Sequence, residues 1–391
     1  MNVLFLTIVP KADLYLSLAD EFKKNGHAVT FVTPTEQDTH FDSLSGHRIL
    51  FFHAGKMLNV SIPRKAFSNL LFPNYCLRAV KKHLNPKDYH LILMSTPPLG
   101  YLPSIRFLKK NNPDIKFYEI LRDIHPEAAK FILDKIPGSF PFFKKKAQEI
   151  YDLADVVGCM SPFDVELVKT NYKHQNDKKI QLLPNWGRVS SYQEPAEEIK
   201  KKYGLAGKFM IIYGGNMGIG QNLPLYLKLA KEKQHLKDVL FFFIGNGTER
   251  EKLREIVRKE HITNVRIENT IPHEDYLHIL RCASLGIITL GPPQFFANCP
   301  SKAVTYWQNK IPIISTLDRI TDFGSYFIDR SECGLWSYYD DIDTLSANFD
   351  TLYYNDELRN WMGMNGYNFF MENFTVDKTY KKIMESLGYT L

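Results

Sequence analysis

The chain has 391 residues, 49 Lys+Arg against 43 Asp+Glu, a formal net charge of +6, and is 44% hydrophobic and 13% aromatic. This length exceeds one ordinary core and suits two domains of roughly 190 residues each, while the apolar content excludes a disordered chain. Five scattered cysteines without a Cys-x-x-Cys pair (Cys76, Cys159, Cys282, Cys299, Cys333) exclude a disulfide frame or cysteine zinc site and point to reduced thiols in a cytoplasm.

In chain order the sequence alternates strand and helix patterns. Val3–Val9 is a continuous apolar run of the buried parallel-strand kind. It falls far short of the ~20 residues that span a bilayer, and it reads as a first strand rather than a signal peptide. A helix over Leu14–Asn25 closes at Gly26, and a strand Val29–Thr33 ends at Pro34. Strands His90–Met94 and Ile115–Leu121, helix Phe142–Leu153, and strands Val156–Met160 and Ile180–Leu183 complete the first half. The second half repeats the plan. It predicts strands at Phe209–Tyr213, Leu240–Ile244, Val265–Glu268, Leu285–Leu290 and Pro312–Ser315, with helices at Leu223–Lys231, Glu249–Lys259, His273–Cys282 and Lys302–Gln308 between them. Serial β-α units impose right-handed crossovers, so the fold class is α/β with two doubly wound parallel sheets. Such sheets take ligands at the carboxyl ends of their strands. The polar, Pro-bracketed stretch Pro184-Asn185-Trp186 to Glu194-Pro195 reads as the linker.

Charge is uneven. Residues 1–187 hold 25 Lys+Arg against 18 Asp+Glu, a net of +7, and residues 188–391 hold 24 against 25, a net of −1. Residues 51–87 carry Lys56, Arg64, Lys65, Arg78, Lys81, Lys82 and Lys87 and no acid, interleaved with Phe67, Leu70, Leu71, Phe72 and Tyr75. This mixture suits an anionic membrane surface, at about 1 kcal/mol per cation. A solvated helix face over core aromatics explains the same residues. No recognition motif for nucleic acid accompanies the charge.

The most informative stretch is Tyr213-Gly214-Gly215-Asn216-Met217-Gly218-Ile219-Gly220, a strand-to-helix turn. Its glycines let backbone N–H groups approach an anion, and the positive end of the next helix adds to the attraction. A second anion-type site follows at Pro300-Ser301-Lys302, with Ser301 expected to cap the helix it starts. Two phosphate cradles in one half suggest a diphosphate. His273 and His278 stand five apart rather than at the four-residue spacing of a helical zinc pair. Asp340-Asp341-Ile342-Asp343 reads as a helix start.

With these motifs in order, the chain resembles a bacterial family 4 glycosyltransferase of the retaining, GT-B kind with a Pro-Ser-Lys donor motif. The resemblance is carried by the glycine loop, by Ile244-Gly245-Asn246-Gly247, Asn264-Val265-Arg266, Ile271-Pro272, Pro300-Ser301-Lys302 and Lys310-Ile311-Pro312. In the first half it is carried by Ser95-Thr96-Pro97-Pro98, by Asp123-Ile124-His125-Pro126-Glu127, and by Leu183-Pro184-Asn185-Trp186. It implies two Rossmann-like domains facing across a cleft, 1–187 for the acceptor and 188–370 for the donor, with a helix in 371–391 returning to the first. It further implies a UDP- or GDP-sugar donor, a lipid-linked glycan acceptor, a role in bacterial surface polysaccharide synthesis, no metal or other cofactor, no nucleic acid, and a place on the inner face of the cell membrane.

On this resemblance Gly214, Gly215, Asn216, Met217, Gly218, Gly245, Asn246, Ile271, Asn298, Pro300, Ser301, Lys302 and Thr305 bind the donor. Lys11, Tyr15, Thr96 and Pro97 line the acceptor side. Lys302 stabilises the leaving diphosphate, and Asp123 either polarises the acceptor hydroxyl or orients the donor sugar, with His125 and Glu127 as alternates. Cys299 is expected close enough to the donor for thiol alkylation to inhibit. The chain departs from the family at its paired donor-site glutamates, which fall near Ala297 and at Thr305, and at the cation pair beside the glycine loop, where Gln221 and Asn222 stand. A nucleotide-sugar 2-epimerase of the same architecture and a noncatalytic nucleotide-sugar-binding subunit are the alternatives.

Overall fold

The strand–helix alternation forms two sheets in the computed structural model, which describes residues 1–54, 62–96, 99–173, 179–189, 195–292 and 299–390, apart from the side chains of 62–70 and 273. The chain divides into two units: Met1–Trp186 with Val376–Leu391, and Gly187–Thr375. The joins expected after 187 and 370 fall in the structure after 186 and 375.

The first unit holds β1 (Asn2–Leu6), β2 (Ala28–Thr35), β3 (His40–Leu44), β4 (His47–His53), β5 (Leu91–Thr96), β6 (Lys116–Leu121), β7 (Val156–Cys159) and β8 (Ile180–Leu182). They lie in the order β3-β4-β2-β1-β5-β6-β7-β8, all parallel except β3, which pairs antiparallel with β4. Because helices cover both faces, β1 and β5 are buried on both sides, which is why they read as apolar runs rather than alternations. The first strand stops at Leu6, short of the expected Val9, where the Thr7 hydroxyl accepts a hydrogen bond from the Val9 amide at 3.3 Å and turns the chain. The β3–β4 hairpin was missed in the sequence although Ser45-Gly46, both at positive φ, make its turn.

The helix Val376–Ser386 belongs to this unit. It buries Val376, Thr379, Tyr380, Ile383 and Met384, an i, i+3, i+4 stripe. Tyr380 meets the Phe22 ring edge-on at 4.9 Å and bonds His27 Nε2 at 2.9 Å. Trp186 joins the same core, with Nε1 donating to the Leu14 carbonyl at 2.7 Å. The expected linker therefore begins as core, since Asn185 and Trp186 are both buried. The aromatics of 51–87 divide likewise: Phe72 is 1% exposed against Phe52 and Tyr101, while Arg78, Lys81, Lys82 and Lys87 face solvent.

The second unit is a parallel sheet of β9 (Phe209–Gly214), β10 (Val239–Ile244), β11 (Val265–Glu268), β12 (Leu285–Leu290), β13 (Ile313–Leu317) and β14 (Gly334–Tyr338). Its order is β11-β10-β9-β12-β13-β14. Strand order reverses between β9 and β12 here and between β1 and β5 in the first unit, and open α/β sheets bind ligands outside such switch points. Gly187 and Thr375, the first and last residues of this unit, pair as one bridge. Asp341 caps the helix Ile342–Tyr353 through the Thr344 amide at 2.9 Å, the role read for that acidic run.

Candidate active site

In the second unit the glycine loop that leaves β9 at the switch point is bonded backbone to backbone to a second glycine loop, the one that leaves β10. The Gly215 amide donates to the Ile244 carbonyl at 2.9 Å and the Met217 amide to the Asn246 carbonyl at 2.7 Å, while the Glu249 amide returns to the Met217 carbonyl at 3.0 Å. Gly245 (φ +144) and Gly247 (φ +159) exist for this contact, since a Cβ at either would collide with the backbone of Gly215 or Met217. Of the backbone amides that residues 214–218 are expected to offer a phosphate, those of Gly215 and Met217 are consumed by the neighbouring loop. Among the described residues no hydrogen bond reaches the amides of Asn216 and Gly218, and Asn216 is exposed. Asn246 is held by its side chain, donating to Thr270 Oγ1 at 2.7 Å and accepting from Arg250. Ile271 is partly buried just beyond Thr270.

The loop is tied at its far end to β12. Gly291 donates to the Gly220 carbonyl at 2.8 Å and Thr289 Oγ1 to the Gln221 carbonyl at 2.7 Å. Gln221 and Asn222 are thus structural: Gln221 Oε1 accepts from Tyr213 at 3.1 Å, and Asn222 donates to the Tyr339 carbonyl at 3.0 Å.

Lys302 reaches this loop from the helix Ser301–Gln308. Its Nζ lies 4.9 Å from the centre of the Tyr213 ring, and a Cβ built on Gly215 would stand 3.5 Å from it. Burial pushes the ammonium down to about 8 from its ordinary 10.5. Tyr276, whose hydroxyl covers Gly214, is pushed up to about 12 by burial. Neither tyrosine was given a site role from the sequence: Tyr213 read as the last strand residue before the glycine loop, and Tyr276 as one apolar position of the helix His273–Arg281. Ser301 is not the cap expected of it. It is the first helical residue, Pro300 occupies the cap position, and no side chain caps this end. The Ala303 amide donates to the Pro300 carbonyl at 3.0 Å, while the Ser301 and Lys302 amides precede the first intrahelical bond, as at any helix start. Thr305 Oγ1 turns back to the Ser301 carbonyl at 3.5 Å. Cys299 is fully buried, which removes the expected ready alkylation. Asn298 lies outside the described residues.

In the first unit Lys11 is exposed after β1, and Tyr15 is a core residue, 7% exposed and edge-on to Phe5. The Tyr15 hydroxyl bonds Ser95 across the switch point. Thr96 closes β5 with a buried hydroxyl that has no hydrogen-bond partner among the described residues, and Pro97 lies outside them. The 122–127 loop leaves β6 with a partly buried Asp123, whose carboxyl burial raises while the neighbouring Arg122 pulls it back. Arg122 was missed in the sequence; it is 8% exposed and its guanidinium stacks 4.5 Å from the Trp186 ring. Glu127 is 7% exposed and accepts from Tyr172 Oη at 2.7 Å, and the same hydroxyl reaches the His125 carbonyl at 3.3 Å. Glu127 is therefore an anchor beneath the loop, while Asp123 is its more open carboxylate. Among the described residues no cluster of three or more His, Cys, Asp or Glu has the geometry of a metal site.

Residues 195–369 match the family model described as glycosyl transferases group 1. No curated protein sequence matches the chain. Solved structures resemble it over nearly its whole length at low identity. Sucrose-phosphate synthase from Thermosynechococcus elongatus superposes with a TM-score of 0.76 at 13% identity, covering 98% of each chain. The E. coli trehalose-6-phosphate structure bound with UDP-2-fluoro glucose gives 0.75 at 12%, covering 100% of each. WaaG, a glycosyltransferase involved in lipopolysaccharide biosynthesis, gives 0.71 at 12%, covering 99% of this chain and 100% of its own. The fold is GT-B, its second unit carries a glycosyl transferases group 1 domain, and the protein is a glycosyltransferase.

Proposed function

We propose that this glycosyltransferase moves a sugar, with retention of configuration and without a metal, from a UDP- or GDP-sugar held by the second unit to a lipid-linked glycan acceptor held by the first. Its setting is bacterial surface polysaccharide synthesis, at the inner face of the membrane, with the exposed cations of 51–87 attracted to anionic lipid. The observation that carries the reading is the meeting of Lys302 Nζ with the Gly215 loop. The difficult step is departure of a nucleoside diphosphate while positive charge builds on the sugar, so fixed donors must strengthen as the leaving group becomes charged. In this reading the open Asn216 and Gly218 amides, the amino end of helix Ser301–Gln308 and Lys302 together supply that stabilisation. Without a charged partner the Lys302 ammonium is destabilised by burial, and a diphosphate restores it. Asp123 acts on the acceptor hydroxyl or the donor sugar from the first unit. The UDP-2-fluoro glucose in the E. coli structure and the part of WaaG in lipopolysaccharide biosynthesis support this class of donor and this setting.

Thermal shifts over UDP-, GDP- and dTDP-sugars, paired with transfer of labelled donor into lipid extracts, test it, since a ligand of the native state alone raises its stability. Asp123→Asn is expected to keep the donor-induced shift and lose about a hundredfold in transfer. Unchanged transfer would remove Asp123 from the chemistry. Binding without turnover in every extract would favour the accessory-subunit alternative, prompted by Ala297 and Thr305 where the family has glutamates.

A further inference from the structure

The first unit presents a surface that the charge pattern of 51–87 did not reveal. Among its described residues the exposed large hydrophobics are Phe41, at 36%, and four residues crowded between 131 and 142: Phe131 at 59%, and Ile132, Ile136 and Phe142 each at 56%. Phe131 and Ile132 lie on the single-turn helix Lys130–Leu133, Phe142 lies in the first turn of the helix Ser139–Leu153, and Ile136 sits in the turn between these two pieces. The turn between the pieces is fixed by Ser139, whose amide bonds the Ile136 carbonyl at 3.1 Å and whose hydroxyl bonds the Leu133 carbonyl at 2.7 Å. Their exposure thus belongs to an ordered, bonded segment.

Cations surround them. Residues 130–146 contain five lysines and one acid, Asp134, which is paired with Lys130 at 3.2 Å. The ammonium groups lie over the exposed rings: Lys135 Nζ is 4.1 Å from the Phe131 centroid and Lys146 Nζ 4.9 Å from that of Phe142. An aromatic ring topped by a long cationic side chain suits an interface where the ring enters apolar material and the ammonium reaches back to phosphate. A second copy of the chain fits poorly, because a self-complementary contact would bring lysines onto lysines.

We propose that residues 130–146 dock on an anionic lipid bilayer, with Phe131, Ile132, Ile136 and Phe142 entering the headgroup boundary and Lys135 and Lys144–Lys146 contacting lipid phosphates. This rests on the proposed membrane setting and assigns its apolar contact to a surface other than 51–87, where Phe52 and Phe72 are core and Phe51 and Tyr75 are partly buried.

The test is co-sedimentation of the full chain with vesicles of phosphatidylcholine alone and of phosphatidylcholine mixed with phosphatidylglycerol. Wild type is expected to bind the mixed vesicles. Replacing Lys144, Lys145 and Lys146 with Gln should lower partition on the order of a hundredfold, about fivefold per cation. The Phe131→Ser, Ile132→Ser, Ile136→Ser, Phe142→Ser combination should lower it at least as much, with an unchanged melting temperature confirming the fold. Phe131→Trp gives an independent readout: its emission should shift to the blue and be quenched by brominated lipid. If binding survives in both multiple variants but is lost in Lys81→Glu, Lys82→Glu, the patch is refuted and the membrane setting stands. Wild-type failure to bind any vesicle would end both, and a dimer dissolved by the serine variant would replace the bilayer with a second copy.

Discussion

The two switch points are built by different means. At the carboxyl end of β9 the shape is made by backbone: Gly245 and Gly247 bring one loop against another, carbonyl to amide, and one partly buried lysine supplies the charge. At the carboxyl ends of β1, β5 and β6 the shape is made by side chains, with Tyr15 on Ser95, Arg122 on Trp186 and Tyr172 on Glu127. A backbone-built site is intolerant of any added Cβ yet nearly indifferent to side-chain identity elsewhere. A side-chain-built site can be rebuilt in many sequences. The matched family model lies wholly within the backbone-built unit, and the residues of the other loop must be read individually.

Substitutions sharpen this contrast. The largest effect is expected from Gly245→Ala, whose Cβ would meet the Gly215 carbonyl in a conformation L-residues rarely adopt. Strain and displacement together should cost on the order of 3 kcal/mol, and a denaturant midpoint within error of wild type would show that the loops are not interlocked. Lys302→Ala comes next, with turnover cut at least about a hundredfold, the scale of one electrostatic donor, and no loss of stability in the unliganded protein, since the buried ammonium is itself unfavourable there. Near-normal kinetics would displace the charge from this helix. Tyr172→Phe probes the side-chain-built loop: it strips Glu127 of its donor and should lower stability by about 1–3 kcal/mol, whereas an unaltered melting curve would mean the loop is anchored elsewhere.

The smallest effect is in pH. Burial holds the folded Lys302 at about 8, below its ordinary 10.5, so the unfolded chain binds more protons between those values and the stability of the unliganded protein should rise with pH there. Diphosphate binding needs the charged form, so donor affinity should fall above about pH 8, by up to tenfold per pH unit. Calorimetric titration of donor across that range, with Lys302→Met as the flat control, measures it.

Much of this was legible in the residues. Two-sided burial of parallel strands imposes continuous apolar runs, so β1, β5, β9, β10 and β12 appear directly in the sequence. Glycines in a strand-to-helix turn announce a close backbone approach, and Asp341 announced a cap. The β3–β4 hairpin was hidden because its exposed strand lacks a strong pattern, with a burial sequence of intermediate and exposed residues.

The sequence by itself determined the α/β class, the alternation of units and the presence of an anion-seeking loop, because these follow from local period and from which residues tolerate which backbone. Only the tertiary structure decided which amides of that loop stay open, since the competing carbonyls come from a strand some thirty residues away. It alone also decided that Trp186 is core, that Lys302 lies over Tyr213, and that Glu119 in β6 is fully buried with no hydrogen bond to its carboxyl among the described residues, so that burial raises it well above the usual carboxylate range. Burial and charge state depend on neighbours distant along the chain, and no local pattern encodes those.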